Sequence, residues 1–425
     1  MFSIRFLLTI VYVICNLSTS LAVESWTQFR GSDFGATSAT DLPVEWSSKN
    51  ITWKAALPGP GASSPVIYEG AIYLTCYTGY GVDVEEPGEP LDLQRHLLCI
   101  QANNGEIVWQ KTIGAVSAEN EFNDWAVALH GYASSTPAVD ATGVYVFFGD
   151  AGCFAFDHDG HQRWQFACGK ENHEFGSGAS PILYNDLVIV NASPESESLI
   201  AINKLTGKEV WRQSEILAAW NTPVIYTNLN GAHELALSVE GKVLAFDPKD
   251  GRALWSCQAI DDYICPSIVA DDGILYAIGG RDNTTVAIRS GGAGDVTESH
   301  KLWELGKGSN VPSPVIHDGH IYWAKEKGIV YCANVSTGEM VYEERLKPKS
   351  GLIYASPLLV NGNLYYVSRE NGAYVVAAQP HFELVAHNVM EEDDSVFNAG
   401  PVPLADGFLL RSNKFLYYLR KEMSD

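Results

Sequence analysis

One motif recurs eight times along this chain and restricts its fold more than any other feature. It reads as a small residue or two, proline, two apolar residues, a short turn, and an apolar strand that often carries tyrosine. The prolines are Pro65, Pro137, Pro181, Pro223, Pro266, Pro314, Pro357 and Pro401, at steps of 72, 44, 42, 43, 48, 43 and 44 residues. Only the first period therefore holds a large insertion. A second motif follows each copy of the first: an apolar strand, a glycine turn, and a strand ending in tryptophan. Full copies end at Trp109, Trp164, Trp211 and Trp255; later ones degrade to Trp303 without the turn, to Tyr342, and to Val385. Asn or Asp opens these turns by bonding its own backbone, and glycine takes the positive-φ position. Each period is thus two hairpins, or four short strands in about 43 residues, the signature of a β-propeller blade. Apolar spacing at 3.6 residues is absent over any useful length, which excludes a helical solenoid.

The eighth copy supplies three strands and then stops. Residues 50–54, with Trp53, have the character of the missing outer strand. The expected fold is all-β: one eight-bladed propeller of four-stranded antiparallel blades spanning residues 23–425, closed by pairing N- and C-terminal strands. Residues 26–53 are expected to form a rim segment followed by that closing strand. Proline at the start of each innermost strand fits an edge facing the channel, since proline cannot donate to a ladder. Trp53, Trp109, Trp164, Trp211, Trp255 and Trp303 are expected to pack between blades, where truncating one would cost ~3–5 kcal/mol.

Residues 1–22 stand apart. Arg5 precedes an apolar run, and Ser20 and Ala22 place small residues where a signal peptidase cuts. The expectation is an exported protein, periplasmic or extracellular after cleavage. No other apolar run is long enough to span a bilayer. The chain carries 28 basic and 51 acidic residues, a formal charge of −23. That excludes nucleic acid and anionic membrane surfaces as partners, because both demand basic patches. Seven cysteines follow the leader, an odd number with no CxxC pair. Small buried thiols are the simplest reading; Cys153–Cys168 and Cys257–Cys265 remain open as disulfides.

The run from Ala201 to Trp211 (AINKLTGKEVW) and its second copy from Ala245 to Trp255 resemble the tryptophan-docking repeat of PQQ-like propellers. The opening Trp26-Thr27-Gln28-Phe29-Arg30-Gly31, with Leu42-Pro43 and Trp46, resembles exported bacterial members of that group. The resemblance covers nearly the whole mature chain and implies the fold more than a function, because this scaffold hosts several. Its quinoprotein dehydrogenases imply a pyrroloquinoline quinone held against a ring of two adjacent cysteines, with calcium on acidic and amide side chains. No two cysteines are adjacent here, and CxxCH is missing. PQQ and calcium are therefore not expected, and no catalytic residue is assigned.

In a four-stranded blade the turns inside the two hairpins share one face; the link between hairpins and the link between blades share the other. The first set is short throughout. The second holds the elaborations: residues 76–95, 112–131, 167–178, 191–198 and 386–398. Long loops gathered on one face of a rigid scaffold mark its functional face. Candidate ligand-binding residues at that channel mouth are Trp125, His130, Asp150, Glu195, Trp220, Glu240, Arg281, Asp282, Lys325, Glu326, Arg369 and Glu370. The acidic run Glu391-Glu392-Asp393-Asp394 lacks the spacing of a calcium loop and reads as solvated charge. No metal site is expected. The reading is a monomeric, non-catalytic scaffold binding a protein, peptide or glycan on its long-loop face. The alternatives are a quinoprotein-type oxidoreductase with a modified site and an outer-membrane protein assembly scaffold.

Overall fold

The computed structural model describes residues 25–37, 42–116, 119, 121–123, 126–171, 173–281 and 283–421; residues 1–22, expected to be a leader, lie outside them. Their strands form eight sheets, each built on one antiparallel four-stranded meander. Blade 1 runs Val66–Tyr68, Ala71–Thr78, Gln94–Gln101 and Ile107–Gly114, from the axis outwards. Blades 2 to 7 begin at Ala138, Ile182, Val224, Val269, Val315 and Leu358. Blade 8 takes Val402–Leu404, Gly407–Arg411 and Phe415–Arg420 from the C-terminus. Its outer strand is Ile51–Ala56, antiparallel to Phe415–Arg420. The ring closes through both ends of the chain, which leaves no unpaired seam. The second and third strands of the blades are almost wholly buried, as apolar layers between neighbouring sheets.

Local chemistry explains the repeat. In every blade the register slips by one residue where the outer strand pairs with the third. Such bulges increase twist and turn the outer strand. Five of the tryptophans follow one rule. The indoles of Trp53, Trp109, Trp164, Trp211 and Trp303 donate to the carbonyls of Ala102, His158, Lys204, Pro248 and Val335, each in the next blade, at 2.8–3.2 Å. The ring lies over the turn glycine of that blade: a Cβ on Gly105 would sit 2.5 Å from Trp53, and one on Gly207 2.6 Å from Trp164. Trp255 departs from the rule because blade 5 has no such turn. Its indole donates to Glu234 Oε2 at 2.9 Å in its own blade. In place of the turn, Gly294–Asp295 adds a parallel strand to Ala253–Gln258, strapping blade 5 to blade 4.

A hydroxyl ring joins the innermost strands. The backbone N–H of Ser64 donates to Thr136, Thr136 to Ser180, Ser180 to Thr222, Thr222 to Ser267, Ser267 to Ser313 and Ser313 to Ser356, at 2.9–3.0 Å. Gly400 donates to Ser64 at 3.2 Å but has no hydroxyl to offer in turn. These residues stand just before the motif proline, except Ser267, which follows Pro266. Cys76, Cys99, Cys153, Cys168, Cys257, Cys265 and Cys332 are free thiols, and neither short-range pair is bonded.

The stretch expected at the rim behaves differently in its two halves. Trp46 does pack outside the channel, stacking on Tyr365 and edge-on to Phe408. Residues 25–37 instead run across the axis. Trp26 bonds to Ile67 of the blade 1 inner strand in both directions, and the Thr27 carbonyl accepts from Val139 of blade 2. Ala36–Thr37 then pairs parallel with Leu358–Val360 of blade 7. Between these anchors Arg30 donates to the carbonyls of Phe34 and Pro314. Inner strands present unpaired backbone groups towards the axis, and this segment satisfies some of them.

Candidate functional site: an aromatic cup on the axis

Residues 25–37 act as a plug that turns the central channel into a cup. Its cavity is about 240 Å³. Trp26, Phe29, Arg30 and Gly35 belong to the floor. The wall is made by residues leading into the inner strands, including the ring hydroxyls of Ser64, Thr222, Ser267, Ser313 and Ser356. Higher up stand Leu129, His130, Phe175, Trp220, Tyr263, Asn310, Tyr354 and Asn398, all from links between blades. The open end therefore lies on the long-loop face.

The aromatic wall is braced. Trp220 lies edge-on to His173 and Phe175, with centroids 4.6 and 5.6 Å away, and its indole donates to the Gly176 carbonyl at 2.8 Å. Phe175 stacks on Tyr263 at 5.8 Å, and the Tyr263 hydroxyl donates to Asn310 Oδ1. His130 joins the 112–131 and 167–178 links: its Nε2 lies 2.7 Å from the Phe175 carbonyl and its Nδ1 2.6 Å from the Ser134 hydroxyl. A carbonyl only accepts, so Nε2 carries the proton and Nδ1 accepts from Ser134. Burial pushes this histidine below its ordinary value, so it is a neutral brace at pH 7.

The remaining mouth residues separate into groups. Trp125 and Asp282 lie outside the described residues. Arg281 and Arg369 back the wall, their guanidiniums 4.8 Å from the ring centroids of Tyr263 and Tyr354. Asp150 and Glu195 lie to one side of the cup rather than in its wall. Glu195 is buried and accepts from the Ser177 hydroxyl; burial pushes its carboxyl up to about 8, and that of Asp150 to about 7. Beside them the bidentate pair Arg95–Glu119, at 2.5 and 2.8 Å, ties the 112–131 link to blade 1. Glu240 and Glu370 are exposed, Lys325 and Glu326 half-buried, and none of the four lines the cup. The expected ring of charge at the mouth is thus a ring of aromatic and amide groups with charge behind it.

Sequence reading missed Phe175, Tyr263, Tyr354, Asn310 and the plug floor. A weak signal existed: Trp220 and Tyr354 each stand two residues before their ring hydroxyl, and Tyr263 four. The cup does not suit a quinone with its metal. None of its lining residues is Asp or Glu, so a calcium ion would meet no carboxylate there. Its one half-buried thiol, Cys265, has no cysteine neighbour in the wall. In the acidic run, Asp393 accepts from Ser395 and Tyr417 while Asp394 pairs with Lys414, so the two carboxylates serve separate partners.

An eight-bladed, tryptophan-braced ring of this kind defines a PQQ-like repeat propeller. The sequence pattern described as outer membrane protein assembly factor BamB matches residues 90–224 and 239–380, and the chain belongs to that family. The outer membrane protein assembly factor BamB of Burkholderia pseudomallei is 24% identical over 357 residues, covering 76% of this chain and 86% of that protein. Among solved structures, BamB from Moraxella catarrhalis matches with a TM-score of 0.59 at 12% identity, over 88% of this chain and 98% of its own. Quinohemoprotein alcohol dehydrogenase from Comamonas testosteroni matches with a TM-score of 0.59 at 11% identity, over 94% and 82%. At such identities the structural likeness shows the fold alone.

Proposed function

We propose that this chain is an exported, non-catalytic scaffold that holds a partner protein or peptide by its long-loop face, with the axial cup as the gripping point. The observation that carries this reading is the cup: closed by residues 25–37 on the turn side, open among the long links, and walled by Phe175, Trp220, Tyr263 and Tyr354. Concave sites lined by aromatic groups with a few fixed polar partners are what proteins use to bind rather than merely pack. Membership of the family described as an outer membrane protein assembly factor directs the choice of partner to outer-membrane protein assembly. No quinone, metal or catalytic group is part of this reading.

The test is co-purification. The mature chain, tagged at its C-terminus, is expected to bring down components of the outer-membrane assembly machinery from the envelope of its own organism. Trp220→Ala is expected to weaken that capture at least tenfold while the fold persists. Recovery of the chain alone, or equal capture by the variant, would refute the proposal.

A further inference from the structure

Three arginines are buried around the cup, and none forms an ion pair among the described residues, although Arg95, Arg212, Arg252 and Arg420 all do. Arg30 lies in the floor and, among the described residues, donates to the Phe34 and Pro314 carbonyls. Arg369 lies behind Tyr354 and donates to the Leu129 carbonyl at 2.8 Å. Arg411 lies behind the blade 8 and blade 1 wall, donating to the Ser63 carbonyl at 2.5 Å, the Ser63 hydroxyl at 2.6 Å and the Thr75 carbonyl at 2.7 Å. Each also keeps its Nε without a partner among those residues.

This arrangement is costly and runs against the rest of the chain. Burying a cation without a counter-ion is unfavourable even when carbonyls solvate it. Burial lowers all three guanidiniums, Arg30 to about 9 and Arg411 to about 10, which leaves them charged at neutral pH. The molecule as a whole carries −23, yet no carboxylate lines the cup. His130 is neutral, and the tyrosine and cysteine groups of the wall are pushed up by burial, so they add no negative charge. Carboxylates stand farther back, Glu326 acting on Tyr354, Asp262 on Cys265 and Glu370 on Arg369, while the charged group in the lining itself is Arg30, so the field on the interior of this low-dielectric cavity is positive.

We propose that the cup binds a single carboxylate carried on an apolar body, the body against Phe175, Trp220, Tyr263 and Tyr354 and the carboxylate held in the field of Arg30, Arg369 and Arg411. This rests on the reading of the cup as the binding site and adds the chemistry of what enters it. A cavity of about 240 Å³ has room for one body the size of an amino acid. Two sources share this chemistry: the C-terminal residue of a partner chain, and a free aryl or alkyl carboxylic acid.

Calorimetry on the mature chain separates them with three probes: N-acetyl-phenylalanine, N-acetyl-phenylalaninamide and 3-phenylpropionate. At least one acid is expected to bind about tenfold or more tightly than the amide, as a charge-assisted contact with Arg30 in the floor, supported by the field of Arg369 and Arg411 behind the wall, requires. Preference for N-acetyl-phenylalanine identifies a chain terminus; preference for 3-phenylpropionate identifies a free acid. Arg30→Gln would also disturb the floor, so Arg369→Gln is the diagnostic variant. It is expected to lose about tenfold in affinity for the acid and none for the amide, with its thermal midpoint reporting that the ring is intact. Equal binding of acid and amide overturns the carboxylate claim while leaving the cup as a binding site. Failure of both acids to bind at millimolar concentration overturns it as well, and leaves the co-purification test of the scaffold untouched.

Discussion

Glu195 shows what a single residue costs this fold. It is 2% exposed, with one oxygen bonded to Ser177 and the other without a partner among the described residues. Its carboxyl titrates near 8 folded and near the ordinary glutamate value unfolded. Between those values the folded state holds the extra proton, so the contribution of this one group is full below about pH 4 and is lost as pH rises towards 8. Glu195→Gln is expected to flatten that decline and to stabilise the chain at pH 8 by a few kcal/mol at most, on the order set by ~1.4 kcal/mol per unit. Urea titrations at pH 5 and pH 8 measure it, and a decline unchanged in the variant would contradict it. Trp164→Ala is expected to cost ~3–5 kcal/mol by the same measurement, because it removes both the cover over Gly207 and the bond to Lys204. The positions of these tryptophans were legible in the sequence because they repeat with the turn. Phe175 and Tyr263 were not, because links between blades differ in length and hide a common position on the axis. The charged mouth residues misled for the opposite reason. Asp150 and Glu240 share a place in the repeat, but the loop beyond decides whether each faces the cup, a side pocket or solvent.

Among the elements, the plug carries the most consequence. Arg30 and Gly31 both adopt positive φ, 63° and 66°, and a Cβ on Gly31 would lie 2.8 Å from the Trp26 ring. Gly31→Ala therefore strains the backbone and collides with the floor at once. The expected result is a loosened segment: limited proteolysis should cut within residues 25–37 faster than in the parent while the blades stay protected. Equal cutting rates would count against the plug as described. The hydroxyl ring predicts a second effect. Ser180→Ala strips the acceptor from the buried Thr136 N–H, which should cost about 1–3 kcal/mol. The Trp26–Gly31 motif was visible as a motif, yet its place on the axis could not be read. That place depends on contacts between residues more than 300 apart, such as the Leu359 N–H donating to the Gly35 carbonyl. The missing turn of blade 5 was visible too; its use as a strap onto blade 4 was not, since the strap pairs by backbone groups that any sequence offers.

For the whole molecule, period and strand count were enough to fix eight blades and a shared eighth. The closing strand was recognisable because Trp53 repeats the outer-strand signature. What the period could not convey was the inside of the ring, where no repeat unit is complete and one short segment converts a channel into a cup. The central claim is that this cup, and not the face of short turns, is where the molecule engages its partner. It is tested most directly by photo-cross-linking residues placed at Tyr263 and Tyr354 on one face and at Lys208 and Lys249 on the other, in cells of the source organism. Adducts with outer-membrane assembly proteins from the first pair and none from the second are the predicted result. Adducts from the turn positions alone, or equally from both faces, would contradict it.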